Sequence, residues 1–355
     1  MSSDLVTHDR GRRPVTVGLG NGNGVADVAQ TPAHQSTCLA INEIVAPLDS
    51  SAVAECTLPF VSALASAFSA HITLLHVLEP ATDPAPAPDA LEWEMARAEA
   101  HARLMHLQST FQTRGLTTEV EIVQGKAAEQ ITHFAKTRDA DLIVLASHGV
   151  GGINDWNLGG TVHKVIATTH ASVLIVPAHR QFPDPVRFHR MLLPLDCSQR
   201  AECVLPAATE LARAHDAELI LAHVVPEPEM PRRMPPSSED LDLAERIVDR
   251  NSNEATRYLH DIQRRLSAHG SRVEVRVVVS SRRTQSLREL ARQEQVDLVI
   301  FSAHGSTGDA KQRYGGVASR FLQEGGEPVI ILQDLAEVLH APGIREATGQ
   351  ERPGH

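Results

Sequence analysis

Aromatic residues make up only 3% of this 355-residue chain, with two Trp, two Tyr and eight Phe. Platforms for single-stranded nucleic acid stack bases on such rings, so their scarcity argues against that class. The formal net charge of −11 offers no general attraction to phosphate backbones or anionic lipid; any anion site must be local. Four cysteines, Cys38, Cys56, Cys197 and Cys203, show neither C-x-x-C spacing nor a Cys/His array of zinc-finger type. They read as reduced thiols in a cytoplasmic protein. No apolar run approaches the roughly 18 residues of a membrane span. The opening MSSDLVTHDRGRRPVTV lacks the apolar centre of a secretory signal. Nineteen His invite a metal reading, but no His-x-x-x-His with a third ligand stands out, so no metal site is expected.

What is present is ordinary for a globular protein: 42% hydrophobic and 22% charged residues, over a length that favours two domains. Residues 1 to about 38, rich in Gly, Asn, Ser, Thr and His, read as a disordered or loosely attached leader. Its Gly18-Leu-Gly20-Asn-Gly22-Asn-Gly24 run imitates a dinucleotide-binding turn. The helix such a turn needs is cut short by Pro32, so it reads as linker. From Glu43 onward short apolar runs of strand length alternate with helical patterns. EIVAPLD, AHITLLHVLEP, TTEVEIVQG, ADLIVLASHG and ASVLIVPA are the strands, and a helix of about 90–114 ends at Gly115. Pro80 to Pro88 reads as a stiff connector. Such alternation predicts a parallel sheet covered on both faces.

The second half repeats the first. PLDSSAVAECTLP (47–59) aligns without a gap on PLDCSQRAECVLP (194–206), an offset of 147 that also pairs LLHVLEP with LAHVVPE. ADLIVLASHG (140–149) pairs with VDLVIFSAHG (296–305) at an offset of 156, so nine extra residues lie between the second and fourth strands of the second copy. Matched motifs in matched order mark a duplication. The fold class is therefore α/β, two tandem doubly wound five-stranded parallel-sheet domains, over 39–180 and 187–334 with a tail from 335.

Two constellations recur in both copies. Asp49 and Asp196 follow the first strands, where open parallel sheets bind ligands; the plainer role is a helix N-cap. After the fourth strands come Ala146-Ser147-His148-Gly149, nine residues, then Gly159-Gly160-Thr161, and in the second copy Ser302-Ala303-His304-Gly305, nine residues, then Gly315-Gly316-Val317. Glycines opening a helix expose unpaired N–H groups that suit phosphate, at 159–161 and 315–317. No Gly-Lys-Ser/Thr ending of a Walker loop is present. His148 and His304 read as turn-stabilising side chains, and His76 and His223 as satisfied polar groups at the core edge. Cys56 and Cys203 read as small apolar side chains, and Arg282-Arg283 as a solvated loop.

This arrangement resembles the tandem form of the universal stress protein family. The resemblance implies a Rossmann-like fold of the adenine nucleotide alpha hydrolase-like kind. Nucleotide-binding members carry Gly, two residues, Gly, nine residues, Gly, then Ser or Thr. Gly149 with Gly159 and Gly305 with Gly315 keep the spacing, whereas Ala146, Gly160, Ser302 and Gly316 depart from it. By position the adenine contacts would be Pro47, Asp49 and Val77 in the first copy, and Pro194, Asp196 and Val224 in the second. The resemblance further implies ATP or AMP as ligand, with magnesium beside ATP, and a last strand that pairs across a dimer. Here the two last strands are expected to pair within the chain as a pseudo-dimer, with a homodimer and an unidentified protein partner left open. The first copy is favoured as the binder because Thr161 stands one residue beyond the lost hydroxyl. The alternatives are an interaction protein with degenerate sites and a slow ATP hydrolase. No catalytic residue is assigned, because no base–nucleophile pair is visible.

Overall fold

The structure, a computed structural model, describes residues 6–8, 41–51, 53–80, 90–149, 158–228, 237–305 and 314–334. The Gly18–Gly24 run, Cys38, the connector after Pro80 and the tail from 335 lie outside the described residues. In the first copy, strands β2 (Glu43–Pro47), β3 (His71–Leu78), β4 (Thr118–Gln124), β5 (Leu142–Ala146) and β6 (Ser172–Val176) alternate with helices α1 (Leu58–Phe68), α2 (Ala90–Thr113), α3 (Ala127–Thr137) and α4 (Gly160–Thr168). The second copy repeats the order with β7 (Arg190–Pro194), α5 (Leu205–His215), β8 (Glu218–Val225), α6 (Ser238–Ser267), β9 (Arg272–Val279), α7 (Arg283–Gln293), β10 (Leu298–Ser302), α8 (Gly316–Glu324) and β11 (Val329–Leu332). Most of the nine extra residues lengthen α6, which has 30 residues against 24 in α2.

The apolar pattern after Asp49 spans 50–68, yet α1 starts only at Leu58, after a 3-10 turn at Ala54–Thr57. Pro59 explains the break: without an N–H and with its ring against the preceding turn, it is tolerated only at a helix start. Leu205-Pro206 starts α5 in the same way. Gly115, with φ +78°, lets the chain leave α2 in the left-handed conformation.

Each copy has the strand order of a doubly wound sheet, β4-β3-β2-β5-β6 and β9-β8-β7-β10-β11, parallel throughout. The two sheets join through β6 and β11, which pair antiparallel with Val173 opposite Ile331 and Ile175 opposite Val329. The expected pairing of final strands inside the chain is thus observed. Its cause lies in the sequence, since SVLIV and VIIL are buried at every position and an open apolar edge would invite foreign strands. Within the leader, Val6–His8 form a short strand β1 along β9, parallel and in register with Val277–Val279. β9 is otherwise an edge with unpaired backbone groups, and a short extended segment can use them.

Two apolar layers cover the sheet. On the face of α1, α2, α5 and α6 the core runs without a break from one copy to the other. Phe60 of α1 packs edge-on against Phe182 at 4.7 Å between ring centroids and tilted against Phe188 at 6.0 Å; Phe188 in turn meets His215 of α5 at 4.8 Å. Phe60 and Phe188 are almost completely buried. Three of the chain's eight Phe thus pack where the copies meet, a use that gives large rings much buried area.

Candidate functional site

Asp49 leaves the end of β2 beside β3, where Leu48 N–H still donates to Leu75 O at 2.8 Å. Its Oδ1 accepts from the Ser51 N–H at 2.9 Å and from the Ser51 hydroxyl, and that hydroxyl accepts from Ala54 N–H at 3.3 Å. Asp196 does the same with Ser198 N–H (3.1 Å) and hydroxyl (2.6 Å). The carboxylates therefore stabilise the turn before the 3-10 segment. Neither caps a helix, since α1 and α5 have Thr57 and Val204 at that position.

The other oxygen of each Asp lies over the glycine that follows the fourth strand. A Cβ on Gly149 would collide with Asp49 Oδ2, and one on Gly305 with Asp196 Oδ2. The close approach explains both glycines and brings together motifs that lie 100 residues apart in the first copy and 109 in the second. Pro47 and Pro194 stand half-buried at the same strand ends, and Ala146 and Ser147 are buried beneath the turn. Val77 is half-buried and Val224 buried, both within the apolar layer on the α3 and α7 face.

At the start of α4 the Gly159 N–H donates to Ser147 O at 2.8 Å, and Gly315 N–H donates to Ala303 O at 2.7 Å. These two amides are spent on closing the turn. The first intrahelical bonds come from His163 N–H to Gly159 O and Ser319 N–H to Gly315 O. The amides free to meet an anion are consequently 160–162 and 316–318, one residue later than the sequence expectation of 159–161 and 315–317. Nothing lies within contact distance of a Cβ placed on Gly160 or Gly316. Thr161 is exposed in the first turn, while Val317, its counterpart, packs against the apolar layer.

The two copies divide at the histidine of the turn. In the first, the Ser147 hydroxyl accepts from Ala178 N–H at 3.0 Å and lies 3.0 Å from His148 Nδ1. A hydroxyl can accept twice, so either partner of this contact can supply its proton, according to the imidazole tautomer. The ring's Nε2 is buried and has no hydrogen-bond partner. In the second copy Asp334 occupies the place of Ala178, since Leu332 and Val176 hold equivalent register against the fourth strand. Its carboxylate accepts from His304 Nδ1 at 2.8 Å and pairs with Arg200, and the Asp334 and His304 side chains are 2% and 3% exposed. The Ser302 hydroxyl donates to His304 O at 2.7 Å and accepts from Cys203 Sγ at 3.4 Å. The His304 Nδ1 and the Ser302 hydroxyl of the second copy's turn are thus satisfied within the chain.

His76 and His223 each donate from Nδ1 to a strand-end carbonyl, Leu48 O and Leu195 O, both at 2.7 Å, as expected of structural histidines. Burial pushes the Cys56, Cys197 and Cys203 thiols up to about 11, so none is a ready thiolate. Arg282 and Arg283 are exposed at the start of α7. Sequence reasoning missed the clamp on the Asp turn. Arg103 of α2 donates to Asp49 O at 2.6 Å and Ser51 O at 3.0 Å while pairing with Glu55. In the second copy the Tyr258 hydroxyl of α6 reaches Ser198 O and Glu202. A separate open cleft of about 520 Å³, lined by Pro80, Ala90, Trp93, Glu94, Gln124 and Gly125, shares no residue with this site.

Fold and site together define a tandem doubly wound α/β protein with a glycine-walled carboxyl edge in each copy. The chain belongs to the universal stress protein family, whose model matches residues 41–177 and 187–333. A universal stress protein of Mycolicibacterium smegmatis is 25% identical over 303 residues, covering 82% of this chain and 96% of its own. One of Thermus aquaticus is 33% identical over 116 residues, 32% of this chain and 81% of its own. A crystal structure of a universal stress protein from Archaeoglobus fulgidus has the same fold, with a TM-score of 0.59 at 16% identity, covering 83% of this chain and 99% of that one. No helix among the described residues is long and apolar enough to cross a membrane.

Proposed function

We propose that the chain is a cytoplasmic stress-response module that holds an adenine nucleotide, ATP or AMP, at the carboxyl edge of its first copy. The observation that carries this reading is the meeting of Asp49 with Gly149 beside the open start of α4. Asp49 and Pro47 would take the base and ribose side, with Val77 against the base. The unpaired amides of Gly160, Thr161 and Val162 would take phosphate oxygens, aided by the helix dipole. The Thr161 hydroxyl, exposed in the first turn, would replace the one missing at Gly160, and the buried His148 Nε2 is one more polar atom without a partner. Magnesium would accompany ATP through its phosphates. The Ser147 hydroxyl and His148 imidazole lie within hydrogen-bond reach, but both are buried and the hydroxyl is held by Ala178 N–H, so we read the edge as a binding site, not a catalytic one.

A second reading, an interaction module without ligand, is favoured for the second copy by one observation: Asp334 satisfies both His304 and Arg200 internally. Mass spectrometry of gently purified protein separates the two readings. Co-purified ATP or AMP, or a rise in melting temperature at millimolar ATP with magnesium, supports the nucleotide site. Absence of both sinks it.

A further inference from the structure

The copies diverge again at the opposite edge of the sheet, where the strands begin. In the second copy the Arg190 guanidinium, at the start of β7, lies among three carboxylates, with Glu218 at 3.0 Å, Glu274 at 3.2 Å and Glu294 at 2.8 Å. Arg276 adds a second guanidinium, 2.7 Å from Glu294 and also paired with Glu274. Strand register and the repeat put Glu43 where Arg190 stands, His71 where Glu218 stands and Glu119 where Glu274 stands. Arg138 and Glu121 answer Glu294 and Arg276. The central cation of one copy is thus a carboxylate in the other.

Glu43, His71 and Glu119 bring ligand atoms within 4.8 Å of one another. His71 Nδ1 is 3.0 Å from Glu43 Oε2. The hydroxyl of Thr73, fully buried between them, lies 2.8 Å from Glu43 Oε1 and 3.0 Å from Glu119 Oε1. A hydroxyl has one proton and can donate to only one of these oxygens. With that proton on Glu43, the remaining contact sets the Thr73 oxygen against Glu119 Oε1, the oxygen that Arg138 also meets. Arg138 meets Glu119 at 2.8 Å and Glu121 at 3.0 Å, but no arginine or lysine among the described residues contacts Glu43.

We propose that Glu43, His71 and Glu119 bind one divalent metal ion of the zinc class, at the place where the second copy holds Arg190. Two carboxylates and an imidazole are a donor set that zinc accepts, at about 2.0–2.2 Å per bond, with a fourth position left for water. The present spacing is little more than two such bonds, so small rotamer shifts close the site. Calcium and magnesium, which prefer oxygen alone, fit the imidazole poorly. Thr73 orients a ligand carboxylate from behind, as supporting groups of metal sites do. Bound there, the ion would tie together the starts of β2, β3 and β4, as Arg190 and Arg276 tie β7, β8 and β9. The sequence gives no hint of it, because the three ligands are spread over 77 residues and meet only through strand pairing.

The test is calorimetric titration of the chelator-treated full chain with zinc chloride, with melting curves recorded in parallel. Wild-type protein is expected to show a tight site of one ion per chain and a zinc-dependent rise in melting temperature. Loss of a supporting group alone weakens metal sites about 10–100-fold; His71→Ala, which removes a ligand, should weaken this one at least as much. Glu43→Arg, which copies the second copy's cation, should abolish the site while leaving the metal-free protein at least as stable as wild type. Asp49→Ala should leave zinc binding unchanged, which separates this site from the nucleotide site. Zinc binding that is absent in wild type, or undiminished in either His71→Ala or Glu43→Arg, overturns the proposal.

Discussion

In the first copy Ser147 holds His148 and Ala178, and one imidazole nitrogen is left buried without a partner; in the second, Asp334 stands where Ala178 does and engages both His304 and Arg200. The backbones of the two edges are alike, down to the Asp over the glycine and the amide that closes the turn. The difference lies two residues past the last strands, outside the glycine pattern. A duplicated fold therefore keeps its geometry more readily than its unsatisfied groups. In one edge the turn histidine keeps a nitrogen without a partner, in the other a carboxylate of the same chain engages it, while the helix-start amides stay open in both.

The largest effect should come from breaking the closed edge. Asp334→Ala leaves His304 and Arg200 without their acid. Removal of one partner of a buried pair costs about 3–5 kcal/mol. We expect the lower end, because the Arg200 side chain is 35% exposed and can turn to water. Urea unfolding should report the loss, and adding Ala303→Ser, which rebuilds the first copy's Ser–His arrangement, should recover part of it. Unchanged stability in the single variant would mean that the array contributes nothing.

Next in size is restoration of the missing hydroxyl. Gly160→Ser has open space around it and lies at the first position of α4. A hydrogen bond to a charged group contributes about 1.5–3 kcal/mol. Nucleotide affinity should rise roughly ten- to a hundredfold, as read by titration. Gly316→Ser, equally free of clashes, should give no comparable gain, because the second copy's turn histidine is already engaged by Asp334.

The smallest effect concerns the joint between the copies. Burial pushes the His215 imidazole, half-buried against Phe188, below the ordinary histidine range. The folded state thus favours the neutral ring. Its contribution is complete above the unfolded value of about 6.5 and is lost as pH falls through that value toward the lowered folded one. The first copy has Phe68 at the matching position. His215→Phe should narrow the difference in melting temperature between pH 7 and pH 5. His223, lowered by its own burial, retains the remainder. An identical pH dependence in the variant would show that His215 is not the group responsible.

The repeat and the fold were legible in the sequence because strand patterns and matched motifs are local. The β6–β11 pairing was legible too, since two wholly apolar edges have few other ways to be covered. The helix start at Leu58 was readable in principle from Pro59, but the apolar spacing of 50–68 obscured it. The anion-facing amides shifted by one residue because only the structure reveals that Ser147 O and Ala303 O claim the first. The Arg103 and Tyr258 clamps stayed hidden because the nine extra residues break the alignment of the two long helices. Asp334 was overlooked for a similar reason: it lies just beyond the apolar run EPVIILQ, and its partners His304 and Arg200 are 30 and 134 residues away.

The central claim is that two edges with one geometry differ in function. Titration of ATP with magnesium into wild type, Asp49→Ala and Asp196→Ala tests it most directly. The account predicts one nucleotide per chain, lost in Asp49→Ala and retained in Asp196→Ala. Two equivalent sites in wild type, or a loss confined to Asp196→Ala, would contradict it.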